Sequence, residues 1–206
     1  MQSLPTFIVS GIGFFFLYYF EITNLWLIAL FGVLLVVFAI FPTLNILLWE
    51  KDIPKIERFL LKNKKNLTFY TVYALANGLD EEIQSTTEKL VSKSKHRSRQ
   101  ALYKIGEALH FKDLEAANEE LSYITAPAYR AYYEGFIRLE EGDLAQANRI
   151  IDETQNTWMK NALMAERERL AGHLDEAILY AEEAKKNSKG LQYYTLHKTF
   201  ERELGI

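Results

Sequence analysis

Four histidines, His96, His110, His173 and His197, are the side chains best placed to trade a proton near neutral pH. No two of them stand at a spacing that brings two imidazoles onto one metal ion. The chain has no cysteine, which excludes thiolate nucleophiles, disulfides and cysteine-ligated metals. Neither a glycine-rich phosphate loop nor a nucleophile elbow is present. The acidic runs "DEE" (80–82) and "LEEGD" (139–143) read as solvated helix ends. The expectation is therefore a non-enzyme that needs no metal or cofactor.

What remains is the chemistry of recognition. Tyr129, Tyr132, Tyr133 and Phe136 gather rings within eight residues, and aromatic anchors with arginine are frequent interface hot spots. The same stripe also suits a core between helices, Tyr132 most of all, and both readings stand. A basic stretch, "EKDIPKIERFLLKNKK", carries Lys51, Lys55, Arg58, Lys62, Lys64 and Lys65 against three acids. It reads either as a topology-setting linker or as a segment touching anionic lipid. A second cluster, "SKSKHRSRQ", reads first as a solvated loop. No nucleic-acid partner is expected, because the net charge is −3 and no aromatic–basic stacking platform accompanies the run.

The elements that hold these residues divide the chain sharply. Between Leu4 and Trp49 the only charged residue is Glu21. A membrane-crossing helix takes about 20 apolar residues, so the stretch is too long for one span and suits two. The spacing predicts a hairpin over residues 1–50, with spans at 4–20 and 25–49 and a turn at "EITN" that opens the second span at Asn24. Gly13 and Gly32 would then face one another. "MQSLPT" lacks the basic residue of a secretory signal. Positive residues flanking a span stay on the cytoplasmic side. The expected location is thus the cell membrane, with two spans and both termini cytoplasmic.

Beyond the linker at 51–65, the chain repeats itself. "FKDLEAANEELS", "EGDLAQANRIID" and "AGHLDEAILYAE" recur every 30 residues. Leu114, Leu144 and Leu174 share a column, as do Ala117, Ala147 and Ala177. Lys112, Gly142 and Gly172 precede them at a turn, and Asp143 stands as a helix N-cap. Such a period signals stacked helix pairs. The alanine column fits antiparallel helices that approach closely across a short turn.

Gly135, Gly142, Asp143, Leu144 and Ala147, then Ala165, Gly172, Leu174, Ala177 and Ala184, make this region resemble the tetratricopeptide repeat. The family period is 34 residues, about one helical turn longer than here. The resemblance implies an α-solenoid, and with the hairpin read from the apolar opening the expectation is an all-α protein, a two-helix transmembrane hairpin followed by that solenoid. A degenerate leading pair is expected at 66–96, with Glu82 in the alanine column, then three TPR-like repeats at 97–189 and a capping helix at 190–206. It also implies a concave groove lined by Arg99, Tyr129, Tyr132, Tyr133, Phe136, Met159, Glu166 and Arg169, together with Leu102, Gly106, Leu139 and Ala162. The functional expectation is a bacterial-type membrane-anchored scaffold or adaptor holding a protein or peptide partner. The hairpin is a further contact surface for another membrane protein. The alternative is a membrane-bound peptide sensor.

Overall fold

The computed structural model describes residues 24–206 together with Gly11, Phe15, Tyr18 and Tyr19. Apart from Gly11, Phe15, Tyr18 and Tyr19, the expected span at 4–20 lies outside the described residues, as does the start of the turn after it at 21–23. The described residues are all-helical, with eleven helices and no strand, and they form two units, Met1–Trp49 and Glu50–Ile206.

In the first unit, α1 covers Leu25–Leu48, one residue short of the expected span. Asn24 starts it: its side chain accepts a hydrogen bond from the Trp26 amide at 3.0 Å. The helix has 24 residues and a mean hydropathy of 2.8 in its most apolar stretch, and none of it is buried. At 1.5 Å per residue it is about 36 Å long. It is long and apolar enough to cross a membrane.

The second unit holds α2 (Ile53–Lys62), α3 (Leu67–Asn77), α4 (Asp80–Lys93), α5 (Arg97–His110), α6 (Leu114–Leu121), α7 (Pro127–Glu140), α8 (Leu144–Glu153), α9 (Thr157–Ala171), α10 (Leu174–Lys186) and α11 (Gly190–Leu204). Local chemistry sets many of these boundaries. Asp52, Asn66, Asp113, Asp143 and Asn156 each cap the helix that follows with a side-chain oxygen. Gly78, Lys112, Gly142 and Gly172 take left-handed backbone angles between paired helices, where the chain reverses.

That shared turn corrects one alignment. Gly78 falls in register with Lys112, Gly142 and Gly172, so the residue five positions on is Ile83, not Glu82. Ile83, Ala117, Ala147 and Ala177 are all completely buried between helices. Leu79 takes the N-cap place that aspartate holds in the next two pairs, without a side-chain cap, and this hides the register in the sequence.

Successive elements pack on one another. One core joins Ala101, Ile105 and Ala108 of α5, Ala117 and Leu121 of α6, and Ile137 of α7. A second joins Leu139 of α7, Ala147 and Ile151 of α8, and Leu163 of α9. A third joins Ala162 and Ala165 of α9, Ala181 and Ala184 of α10, and Leu196 and Phe200 of α11. The last helix does more than follow α10, because it also packs against α2 and α3. Tyr194 is fully buried there and its hydroxyl accepts from Asn77 Nδ2 at 2.9 Å. Arg202 donates to the Ala76 carbonyl at 3.2 Å, and the Gly190 amide donates to the Glu50 carbonyl at 2.8 Å. The helical order therefore closes, with the end of the chain packed on the start of the second unit.

Candidate functional site: a closed-over aromatic and charged cavity

Closure produces a cavity of about 550 Å³. Its walls are the first helix of each pair, α3, α5, α7 and α9, with α11 laid across them. Helical periodicity decides which residues face in. On α7 these are Tyr129, Tyr132, Tyr133, Phe136 and Glu140; on α9 they are Trp158, Ala162, Glu166 and Arg169. Both sets recur at three- and four-residue steps, one stripe of a helix.

One part of the lining is aromatic. Tyr132 sits at its centre, edge-on to Phe136, Trp158 and Tyr133 with ring centroids 5.1, 5.2 and 5.6 Å away. Such geometry is favourable beyond the area it buries. Burial raises the pKa of Tyr132 far above the usual phenol range, and that of Tyr133 to about 12. Both stay neutral. Tyr129 is tied across the cavity, its hydroxyl accepting from Gln192 Nε2 of α11 at 3.1 Å.

Another part is ionic. Arg169 grips the buried Glu166 with two bonds, Nε–Oε2 at 2.8 Å and Nη2–Oε1 at 2.6 Å. Glu140 lies 3.7 Å and Glu203 3.9 Å from the same guanidinium. The bond to Glu166 holds Arg169 firmly protonated. Burial, and then the nearby charge of Glu166, raises the Glu203 carboxyl above its ordinary value. Arg202 approaches Glu203 at 3.7 Å and Lys112 approaches Glu140 at 3.9 Å. The cavity thus pairs neutral ring faces with a nearly balanced cluster of opposite charges. That combination suits a ligand with apolar and polar groups side by side.

The structure brings six of the eight expected groove residues together: Tyr129, Tyr132, Tyr133, Phe136, Glu166 and Arg169. Gly106 and Ala162 join them. Tyr132 has both environments foreseen for it, since it also packs on two cores. Arg99 is exposed outside the cavity, and Met159 is only 2% exposed in the interior. Trp158, one residue earlier, occupies the cavity face instead. Leu102 packs on the first core and Leu139 is buried in the second.

Sequence reasoning missed His110, Glu140, Trp158, Thr199, Arg202 and Glu203. Trp158 was accessible in principle, because 158, 162 and 166 are one helical stripe. The α11 residues carried no such signal. His110 Nε2 lies 2.7 Å from Asp80, and His173 Nδ1 lies 2.9 Å from Glu168.

The cations that follow α1 are used unequally. Lys51 donates to the Lys186 carbonyl at 2.9 Å and lies over the Tyr193 ring at 5.2 Å. Lys55 pairs with Glu50. Arg58 bonds the Pro54 carbonyl of its own helix, and Lys62, Lys64 and Lys65 are exposed.

No protein-family model, curated protein or solved structure matches this chain.

Proposed function

We propose that this protein is a membrane-anchored interaction scaffold or adaptor. In this reading a two-span hairpin fixes a TPR-like α-solenoid to the cytoplasmic face of the cell membrane, and the cavity takes a segment of a protein partner or a peptide. The observation that carries it is the cavity itself, where ring faces from α7 and α9 stand beside the Arg169 cluster. The all-helical fold, the recurring turn and alanine columns, and the apolar α1 support the same reading. Tethering raises the effective concentration of partners at the membrane, so a modest cavity suffices.

A specific contact favours a second reading, a peptide-sensing regulator. Because α11 walls the cavity and also holds α2 and α3, an occupant that displaced α11 would change how the first pair is held. The two readings differ in what is bound.

The test places a photoreactive residue at Tyr129 or, as a control, at Arg99, in the full-length chain in its native membranes. An adaptor crosslinks a separate polypeptide from Tyr129, at near-stoichiometric yield and not from Arg99. A sensor crosslinks a short peptide from the same position. Crosslinks confined to α11 and other segments of the same chain overturn both.

A further inference from the structure

The fold sorts the charges that follow α1. Two of the three acids of the stretch are engaged, Glu50 with Lys55 and with the Lys51 and Asp52 amides and Asp52 as the cap of α2, and Glu57 is half-buried. Lys51 is exposed but held by the Lys186 carbonyl and the Tyr193 ring. Arg58, Lys62, Lys64 and Lys65 remain exposed and, among the described residues, form no ion pair. Helix α2 buries Ile56, Phe59 and Leu60 within its own unit. Its free face is therefore the basic one, with Leu61 41% exposed among the cations.

More positive charge converges on the same end. Helices α3 and α4 run antiparallel about Gly78, so the start of α3 lies at the end of the pair where α4 finishes. Lys93 and Lys95 are exposed there. The Thr68 hydroxyl on the first turn of α3 is 3.5 Å from that of Tyr103 on α5, which brings exposed Arg99 to this end as well. Arg97 is not available, because Glu120 holds it at 2.6 Å.

We propose that this basic end, centred on Arg58, Lys62, Lys64 and Lys65, binds the headgroups of anionic phospholipids. The proposal rests on the reading of α1 as a membrane span. Only residues 49–52 separate α1 from α2. Four extended residues and ten helical ones reach about 29 Å to Lys62, and three more bring Lys65 within at most about 40 Å, so the patch is tethered near any bilayer that α1 crosses. Clusters of this size beside a span are attracted to acidic lipid and act over roughly a Debye length. A soluble acidic partner would have no such tether and would meet a chain of net charge −3.

The chain has no cysteine, so single reporters are clean. Full-length Leu61→Cys, carrying a spin label, is placed in nanodiscs of phosphatidylcholine or of its equimolar mixture with phosphatidylglycerol. A second variant, Leu35→Cys, reports on α1. The expected result is a Leu61 label at least about fivefold less accessible to a water-soluble relaxation agent in the anionic discs, an effect comparable to one basic residue at the surface. High salt, or the combined Lys62→Glu, Lys64→Glu and Lys65→Glu change, abolishes the difference. Changing the same lysines to Gln reduces it. A label with equal accessibility in both discs, or a difference that survives charge reversal, overturns the lipid assignment while a lipid-buried Leu35 label leaves the anchor reading intact. A Leu35 label open to water overturns both. Protection by an acidic polypeptide or an oligonucleotide, with none from the anionic discs, also overturns the lipid assignment.

Discussion

Lys112 holds a left-handed backbone angle, φ +58°, at a turn where Gly142 and Gly172 do the same work. A side chain in that conformation costs roughly 1–2 kcal/mol, against a smaller entropic advantage over glycine. Its ion pair with Glu140 spans 3.9 Å from a largely exposed ammonium and contributes little. Lys112→Gly is expected to stabilise the chain by about 0.5–1 kcal/mol, raising Tm by about 1–4 °C. Thermal denaturation of the full-length protein in detergent checks this.

Glu203 yields a pH prediction at the same scale. Its folded-state pKa is raised by burial and by Glu166. Such a group contributes stability that is full below the unfolded pKa and is lost as pH rises through the folded one. Glu203→Gln should therefore be more stable than the parent at pH 7, with the gap closing toward about pH 4, the unfolded value. Denaturation midpoints of the two proteins across that range provide the comparison. A constant gap would place the effect in packing instead of charge.

Pairing of helices depends on what fits between them. A methyl group added at Gly135 of α7 would come 2.9 Å from one Leu163 methyl and 3.3 Å from Ile150 Cγ2. Leu163 is fully buried and has little room to turn away. Gly135→Val should cost about 1–3 kcal/mol through overpacking, and Ala147→Leu, at a fully buried position on α8, a similar amount. The N-cap of the same helix is a milder case: Asp143 accepts from the Gln146 amide at 3.1 Å. Asp143→Ala is expected to cost about 1 kcal/mol. Equilibrium unfolding of these three variants tests whether pair packing outweighs capping in this element.

At the scale of the whole second unit, the decisive contact is between its two ends. Removing α11 by truncation after Lys189 strips Tyr194, Leu196 and Phe200 from buried positions. At roughly 1.5–3 kcal/mol each, their loss removes on the order of 5 kcal/mol, a large fraction of a typical domain's stability. Hydrogen exchange gives the sharper reading. If closure couples the ends, α2 and α3 lose protection together with α10, although about a hundred residues lie between them. Loss confined to α10 would reduce α11 to a local cap.

The sequence by itself determined what is periodic and local. Charge segregation marked the apolar helix to within one residue of Leu25–Leu48. The 30-residue repeat marked the turns at Gly142 and Gly172, the cap at Asp143 and the buried alanines. These features are written by neighbours within a turn or two, so residue type and spacing suffice to read them. Tertiary structure alone decided that α11 returns to α3, that α11 residues wall the cavity, and which cations are free. Contacts such as Arg202 to Ala76 join residues 126 apart, and helical periodicity tells which face of a helix is apolar without naming the helix that will cover it.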